Sequence, residues 1–247
     1  MTTSSARLPL EGIRILDSTY VFALPYAGGL LADLGAEVIK IEGPTRPDTT
    51  RSGGFAGAFP ENLVGEDWWN RPSTYNLLHR GKQSLTLDMT NDRGRDLFKE
   101  LVSISDIVME NFTPRVMRGW DMDYPNLRKI KPDIIMVSNT GYGHGGGPYA
   151  SYPAQATTQE ATHGHCWITG YPGESPSKAG ASFVDFLSTW TSIFSIGSAL
   201  RYRNKTGLGQ WVDIGMYQAG VMFLSEYILD AQINRRDGGR IGNRHPY

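Results

Sequence analysis

The chain has 247 residues, 40% of them hydrophobic and 11% aromatic, with a formal net charge of −1 at pH 7. This composition can build a substantial core and argues against global disorder. The balanced charge argues against a nucleic-acid-binding protein, which usually carries a basic excess. The single cysteine, Cys166, excludes an internal disulfide and a four-thiolate zinc site, and it fits a reducing compartment.

Two apolar-leaning stretches, near 184–200 and 214–231, are interrupted by charged and polar residues. Neither approaches the roughly 20 uninterrupted apolar residues of a membrane-spanning helix. The first seven residues are rich in Ser and Thr and precede no apolar segment of the kind found in export signals. We therefore expect a soluble, cytoplasmic protein with no membrane contact.

The first half of the chain alternates short apolar runs with helical patterns. Residues 12–17 and 37–41 predict strands, and 23–34 predicts a helix between them, which together make a β–α–β unit. Further strands are predicted at 84–87, 106–109 and 134–137, and helices at 93–103, 115–118 and 124–130. This alternation predicts an α/β fold with an open sheet and right-handed crossovers.

Residues 43–74 interrupt the alternation with many glycines and prolines. They predict a long loop that either wraps a ligand or partner or is an ordinary surface excursion. Beyond it, the sequence predicts a glycine loop at 141–148, helices at 154–165, 183–201 and 215–233, a strand at 209–214 and a linker at 235–240.

Ligands of open α/β sheets bind beyond the carboxyl ends of the strands. The predicted ends carry polar residues at 17–19, 41–42, 110–112 and 138–140. Residues 141–146 match G-x-G-x-x-G, but no helix pattern follows at once, as a dinucleotide site requires. We therefore interpret this segment as a turn that lets a ligand approach the backbone.

Two other segments near strands carry basic or stacking groups. Arg80 and Lys82 flank a glycine and could hold phosphate, or could form a solvated turn. Residues 110–115 combine an amide, an aromatic ring and a guanidinium, a mixture suited to a nucleotide. The same residues fit an ordinary helix start, with Thr113 as N-cap.

Asp185 is a lone carboxylate at the start of an apolar, helix-like run. Burial would raise its pKa, whereas a helix N-terminus would stabilise its ionised form. The alternative interpretation is a simple N-cap aspartate. His163 and His165 lie two residues apart, do not share a helix face and predict no metal site; Cys166 is interpreted as a packed thiol.

Seven segments, in this order, resemble class III CoA-transferases, which include formyl-CoA:oxalate and carnitine CoA-transferases and the related α-methylacyl-CoA racemases. The resemblance covers residues 9–246. The segments are L-E-G-I-R-I-L-D-S-T-Y-V-F-A-L-P (10–25), L-A-D-L-G-A-E-V-I-K-I-E (31–42), H-R-G-K-Q-S-L-T-L-D-M (79–89), D-I-V-M-E-N-F-T-P-R-V-M (106–117), G-Y-G-H-G-G-G-P-Y (141–149), A-S-F-V-D-F (181–186) and K-T-G-L-G-Q-W-V-D-I-G-M (205–216).

The resemblance implies a Rossmann-like, mainly parallel sheet with flanking helices, followed by the beginning of a smaller domain. It places a large CoA-binding domain at 9–215, and a long helix and linker toward the small domain at 216–247. Family members extend well beyond this point, so the resemblance predicts further sequence or a second polypeptide. It also implies subunits that interlock as a homodimer.

The resemblance further implies that Asp185 attacks the thioester of an acyl-CoA, and that CoA then passes to a small carboxylic acid. It implies no metal and no tightly bound cofactor, with coenzyme A entering as part of the substrate. The CoA contacts implied by the resemblance are Val21, Phe22, Ala23, His79, Arg80, Gly81, Lys82, Asn111, Phe112, Asn139, Thr140, Gly141 and Tyr142.

The sequence departs from the family pattern at several positions. Gly43 and Gly119 stand where basic residues are common, and Arg118 is predicted to replace the second of them. Gln155 and Ala156 stand where the racemases carry a histidine and an aspartate, which argues against racemisation. Two alternatives to CoA transfer remain: a non-catalytic CoA-binding subunit or fragment that needs a partner chain, and, ranked last, an acyl-CoA racemase or isomerase.

Overall fold

A computed structural model describes residues 7–245 of the chain. The Ser/Thr-rich start examined above, and the last two residues of the predicted segment 216–247, lie outside the described residues. The described chain contains one six-stranded sheet, in which all neighbouring strands are parallel. The strands are β1 (Arg14–Asp17), β2 (Glu37–Glu42), β3 (Gln83–Thr86), β4 (Ile107–Glu110), β5 (Ile135–Thr140) and β6 (Trp211–Gly215).

Ten α-helices connect and flank these strands within residues 7–245. They are α1 (Ala23–Asp33), α2 (Ser73–Leu78), α3 (Asp92–Ser103), α4 (Arg115–Gly119), α5 (Tyr124–Ile130), α6 (Ala156–Thr162), α7 (His165–Ile168), α8 (Phe183–Thr206), α9 (Met216–Phe223) and α10 (Ser225–Asn234). The predicted α/β architecture, an open parallel sheet with flanking helices, is therefore confirmed.

The core lies on both faces of the sheet, as expected for buried parallel strands. Successive strand residues point to opposite faces, so Ile15 of β1 packs toward α1 and α8, while Leu16 packs toward α3, α4 and α5. Both side chains are fully buried. The apolar runs in the sequence thus fill two layers, one on each side of the sheet.

The strand order is β3-β2-β1-β4-β5-β6. The chain moves outward from β1 to β3, then returns to the other side of β1 and moves outward again through β4, β5 and β6. The direction of winding therefore reverses between β1 and β4, and a crevice forms beyond their carboxyl ends. The fold predicts a ligand site at that crevice.

Three predicted segments differ from the structure. Residues 43–74 are not loop throughout, because short 3-10 turns such as Thr49–Arg51 occur there and α2 begins at Ser73. The predicted helix 154–165 is two helices, since Gly164 adopts a left-handed conformation with φ of +97°. The predicted helix 215–233 is likewise interrupted, at Leu224, where ψ is 12°.

The predicted N-cap of α4 is also wrong. The cap position belongs to Pro114 rather than Thr113, and no side chain caps the helix there. Proline fixes its own φ near −65° and lacks an N–H, so it suits the start of a helix without a capping hydrogen bond. The other predicted helices and strands are present, with ends that differ by a few residues.

Among the described residues, α8 is the one helix that is both long enough and apolar enough to span a membrane, judged by length and composition alone. One face of α8 packs in the core, where Ile196 and Leu200 join the cluster that contains Leu24 of α1. Phe194 lies on the other face and is 77% exposed. This packing is typical of a helix that covers a sheet.

Candidate active site

A cavity of about 990 Å³ opens at the carboxyl end of the sheet and includes the crevice between β1 and β4. Its lining comes from loops after five strands, from the starts of α1, α6 and α8, and from the 43–55 segment. Nine of the residues predicted for the site lie in its wall: Val21, Phe22, Ala23, Asn111, Phe112, Asn139, Thr140, Gly141 and Asp185.

The turn between β1 and α1 is held in place by side chains from neighbouring elements. Val21 has a φ of +65°, which is strained for a β-branched residue. Its backbone N–H donates to Asp48 Oδ2 at 3.3 Å. Asn111 makes two hydrogen bonds to the backbone of Tyr20, the residue before Val21. Its Oδ1 accepts from Tyr20 N–H at 2.9 Å, and its Nδ2 donates to Tyr20 O at 2.7 Å. The Asn111 amide therefore orders the cavity wall.

Asp185 lies in the first turn of α8, three residues after Ser182. Ser182 occupies the N-cap in a left-handed conformation, so the alternative interpretation of Asp185 as an N-cap aspartate is wrong. The Asp185 carboxylate is half-buried at the cavity wall, near the backbone N–H of Ala23 at the start of α1. The two chain segments that meet here begin at Ala23 and Phe183, which are 160 positions apart.

Burial and the nearby negative charge of Glu160 raise the pKa of Asp185 to about 7, against an ordinary value of 3.8. The backbone N–H groups of Ala23 and of Asp185 itself act in the opposite direction. A carboxyl with this pKa is about half ionised at neutral pH. It can serve as a nucleophile of higher basicity than an ordinary carboxylate.

Glu160, in α6, was not singled out by the sequence patterns. Its side chain is fully buried, and its Oε1 accepts the backbone N–H of Phe183 at 3.0 Å. An isolated glutamate in a polar helix ordinarily faces solvent, so only the tertiary packing of α6 against α8 brings it to the site.

The predicted basic segment lies behind the cavity wall. Lys82 Nζ donates to Asp17 Oδ2 at 2.6 Å and to Pro25 O at 2.7 Å, and His79 Nε2 lies 3.3 Å from Asp48 Oδ2. Arg80 pairs with Asp33 on the outer side of α1. His79 and Lys82 thus lie next to the first strand–helix turn, whereas Arg80 and Gly81 lie against the C-terminal end of α1, at Asp33 and Ala32. None of the four belongs to the cavity lining.

The pKa values of Asp17 and Asp48, the two carboxyl groups behind the cavity wall, are lowered. Burial opposes ionisation of Asp17, yet Lys82, Lys40 and His79 together hold its pKa below the ordinary value. Burial also opposes ionisation of Asp48, and there the neighbouring His79 and the charge of Lys40 outweigh burial and lower the pKa. These carboxylates stay ionised at neutral pH.

Two other predicted contacts, Arg118 and Tyr142, lie outside the cavity lining. Tyr142 packs its ring against Tyr149 and Tyr217, each with a centroid distance of 5.7 Å. Arg46, which the sequence patterns did not single out, is the one Lys or Arg among the described lining residues. It belongs to a turn in which its N–H donates to Gly43 O and its own O accepts from Tyr20 Oη.

The glycine loop at 141–146 continues as loop to α6, as its sequence predicts. Gly141 is required sterically, because a Cβ built on it would lie 2.1 Å from the Cβ of Ala154 in the cavity wall. Within residues 7–245 the structure contains no group of three His, Cys, Asp or Glu side chains arranged to hold a metal ion. Burial raises the pKa of the Cys166 thiol.

Comparisons with known proteins agree with this geometry. The model of the CoA-transferase family III matches residues 10–247. Acetyl-CoA:oxalate CoA-transferase of Acetobacter aceti is 34% identical over 247 residues, which are all of this chain and 60% of the relative. The succinyl-CoA–L-malate CoA-transferase alpha subunit of Chloroflexus aurantiacus is 36% identical over 96% of this chain and 54% of its own length.

Among solved structures, a CAIB/BAIF family protein from Brucella suis superimposes with a TM-score of 0.87 at 33% identity. The alignment covers 97% of this chain and 61% of that protein. The chain therefore spans a little more than half the length of the relatives it matches. The family model, the identities and the shared fold agree, and the chain belongs to CoA-transferase family III.

Proposed function

We propose that the chain transfers CoA from an acyl-CoA thioester to a carboxylic acid through a covalent intermediate on Asp185. The observation that carries this proposal is the Asp185 carboxyl group, which has a pKa of about 7 and lies in the wall of a large cavity. The cavity opens where the direction of winding of the sheet reverses, between β1 and β4. Family membership supports CoA transfer in general, and the geometry supports Asp185 as the attacking group.

In the proposed reaction, a carboxylate oxygen of Asp185 attacks the thioester carbonyl carbon. The C–S bond breaks, CoA leaves as a thiolate, and a mixed anhydride forms. The thiolate then attacks the Asp185 carbonyl carbon, which releases the donor acid as a carboxylate and leaves an aspartyl-CoA thioester. The acceptor carboxylate repeats these two steps in reverse, and Asp185 is regenerated as a carboxylate.

The first turn of α8 suits this chemistry. Backbone N–H groups at a helix start favour negative charge, and the nearby Ala23 amide favours the ionised form of the same carboxyl group. The cavity wall otherwise contains many apolar and aromatic side chains, including Phe22, Phe55 and Phe112. A partly dry environment strengthens the effect of these dipoles on charge that develops during attack.

The cavity also has the extent that a long ligand needs. It reaches from Asp185 and Thr140, beyond β5, to Arg46, beyond β2. Three strand spacings separate β2 from β5, which corresponds to about 14 Å. We propose that the thioester lies near Asp185 and that the nucleotide end of CoA extends toward Arg46, past Val21–Ala23 and Phe112.

The acceptor is proposed to be a small carboxylic acid, because relatives are named for oxalate and L-malate. We propose that the protein acts in the cytoplasm, as a homodimer or with a partner subunit. Residues 216–247 are proposed to lead toward a smaller domain.

The test is mass spectrometry of the protein incubated with a panel of acyl-CoA donors. We expect a covalent mass increase on the peptide that contains Asp185, and exchange of CoA onto added carboxylic acids. The variant D185A should lose both signals. Transfer by D185A at the rate of the parent protein would refute the assignment.

A second candidate is a non-catalytic CoA-binding subunit. It is favoured by one observation: the chain spans 54% of a relative that is itself named as an alpha subunit. This candidate predicts CoA binding by calorimetry without acyl exchange at any protein concentration. Racemisation ranks last, because Gln155 and Ala156 in the cavity wall offer no acid–base pair; deuterium exchange at the α-carbon of an acyl-CoA would reveal it.

A further inference from the structure

We propose that Glu160 is a positioning residue for Asp185: its buried carboxylate fixes the first turn of α8 and holds a negative charge beside the nucleophile. This inference rests on the proposed role of Asp185.

Glu160 supplies a cap that α8 lacks in its own sequence. The N-cap residue Ser182 makes no capping hydrogen bond with its side chain. Glu160 Oε1, from α6, accepts the N–H of Phe183 at 3.0 Å instead. Phe183 is the first residue of α8 and precedes Asp185 by two positions, so this contact fixes the turn from which Asp185 projects.

The other oxygen of Glu160 is buried without a hydrogen-bond partner among the described residues. None of the described Lys or Arg side chains forms an ion pair with Glu160. An unpaired, fully buried carboxylate is costly to a fold. A purely structural cap at this place needs only one acceptor, such as a Gln or Ser oxygen, so a carboxylate here points to a role at the neighbouring Asp185.

Two histidines lie near Glu160. From α7, His165 packs its ring against Phe183 at 4.6 Å, and His163 stacks on His165 at 6.0 Å. Burial lowers the pKa of both histidines, which leaves them uncharged at neutral pH. From α1, the backbone N–H of Ala23 favours the ionised form of Asp185. The charge that Asp185 faces is therefore that of Glu160.

The consequence for the reaction has two parts. A neighbouring negative charge disfavours ionisation of Asp185, so a smaller fraction is ready to attack at pH 6. The fraction that is ionised is more basic and attacks a thioester faster. Glu160 thus sets the pH at which the nucleophile becomes competent and raises its reactivity above that pH.

The experiment compares Glu160→Gln with Glu226→Gln, a matched control in the exposed first turn of α10. Glutamine keeps an oxygen for Phe183 N–H and removes the charge. Two readouts are measured on the full protein: the ¹³C chemical shift of the Asp185 carboxyl as a function of pH, and the pH profile of adduct formation from an acyl-CoA. We expect E160Q to move both midpoints to lower pH by about one unit, and E226Q to leave them unchanged.

A folded E160Q protein whose two midpoints equal those of the parent would overturn the inference. If E160Q does not fold, the variant Glu160→Asp is measured instead. Aspartate keeps the charge but is too short to reach Phe183 N–H. We therefore expect the midpoints to stay as high as in the parent, while adduct formation becomes slower. Parental behaviour of E160D in both readouts would also overturn it. The ¹³C titration needs no activity, so loss of the adduct in the parent protein would refute the proposed function without deciding the role of Glu160.

Discussion

Buried carboxylates lie on both sides of the first turn of α1, but those on one side are paired with cations and those on the other are not. We call the first group the paired cluster; it consists of Asp17, Lys40, Asp48, His79 and Lys82. Each of its carboxylates contacts a Lys or His, and burial is outweighed, so the pKa values of both carboxylates fall.

The second group is the unpaired site, which consists of Asp185 and Glu160. No described Lys or Arg contacts either side chain, and the pKa of Asp185 rises to about 7. Asp17 and Asp48 are fully buried and Asp185 is half-buried, so burial alone would raise the pKa values of the paired carboxyl groups at least as much. The presence or absence of a cation therefore decides the direction of the shift. The ion pairs of the paired cluster hold the cavity wall in place, whereas the unpaired site contains the carboxyl group that we propose as the nucleophile.

The largest expected effect follows from breaking the paired cluster. Lys82→Met leaves Asp17 as a buried charge without its closest partner, and we expect the free energy of unfolding to fall by about 3–5 kcal/mol. Urea denaturation at pH 7 measures it. Arg80→Gln, which removes a partly exposed ion pair with Asp33, is the control and should cost less than about 1 kcal/mol. Equal losses of unfolding free energy in the two variants would show that the ion pairs of the paired cluster are no more important than an exposed ion pair.

The next largest effect is an increase, rather than a decrease, in the free energy of unfolding. The folded pKa of Asp185 lies above its ordinary value of 3.8, so its contribution to stability is present below pH 4 and is lost as the pH rises through about 7. The full shift corresponds to about 4 kcal/mol, and solvent screening of the half-buried carboxyl group reduces it. We therefore expect Asp185→Asn to be more stable than the parent by about 2 kcal/mol at pH 8, with little difference at pH 4.

Urea denaturation of the two proteins at pH 4, 6 and 8 measures this difference. Glu226→Gln, at an exposed position, is the control and should follow the parent at every pH. A constant difference between D185N and the parent across this range would show that Asp185 has an ordinary pKa.

A smaller effect is expected at the boundary between the two regions. Asn111→Ala removes two hydrogen bonds that hold Tyr20, and we expect a loss of about 1–2 kcal/mol in the free energy of unfolding. Thermal and urea denaturation without ligand measure it. A variant with parental stability but weaker CoA binding would show instead that Asn111 contacts the ligand directly.

The smallest effect concerns the far end of the cavity. Arg46→Gln removes the one cation of the described lining, and we expect the affinity for CoA to fall about fivefold, because the contact is exposed to solvent and screened by salt. Isothermal calorimetry measures it. Arg118→Gln is the matched control and should bind like the parent; the reverse result would place the phosphate contact at Arg118, as the sequence predicts.

Much of the fold could be predicted because its signals are local. The apolar runs that contain Leu16 and Val108 are short and alternate with helical patterns, and this alternation is typical of a parallel sheet. The missed breaks depend on single backbone conformations. Gly164 and Leu224 interrupt patterns that are otherwise continuous, and the left-handed turn at Gly164 cannot be distinguished in sequence from a tolerated helical glycine.

The site was less accessible to sequence reasoning. The resemblance to CoA-transferases led to Asp185 and to the residues of the first strand–helix turn. The resemblance implies that Lys82 contacts CoA, whereas in the structure Lys82 pairs with Asp17. The two residues are 65 positions apart, and such pairing has no local signal in the sequence. Arg46 was missed within a segment interpreted as loop, and Glu160 within a helix whose polar residues predict exposure.

The cavity wall includes residues as distant in the chain as Ser18 and Met216. A molecule that fills it therefore binds only when both halves of the sheet are assembled. Ligand at a hundredfold excess over its Kd adds about 2.7 kcal/mol to the free energy of unfolding. We expect saturating acyl-CoA to slow proteolytic cleavage throughout the domain, at sites near either terminus as well as in the loops around the bound molecule.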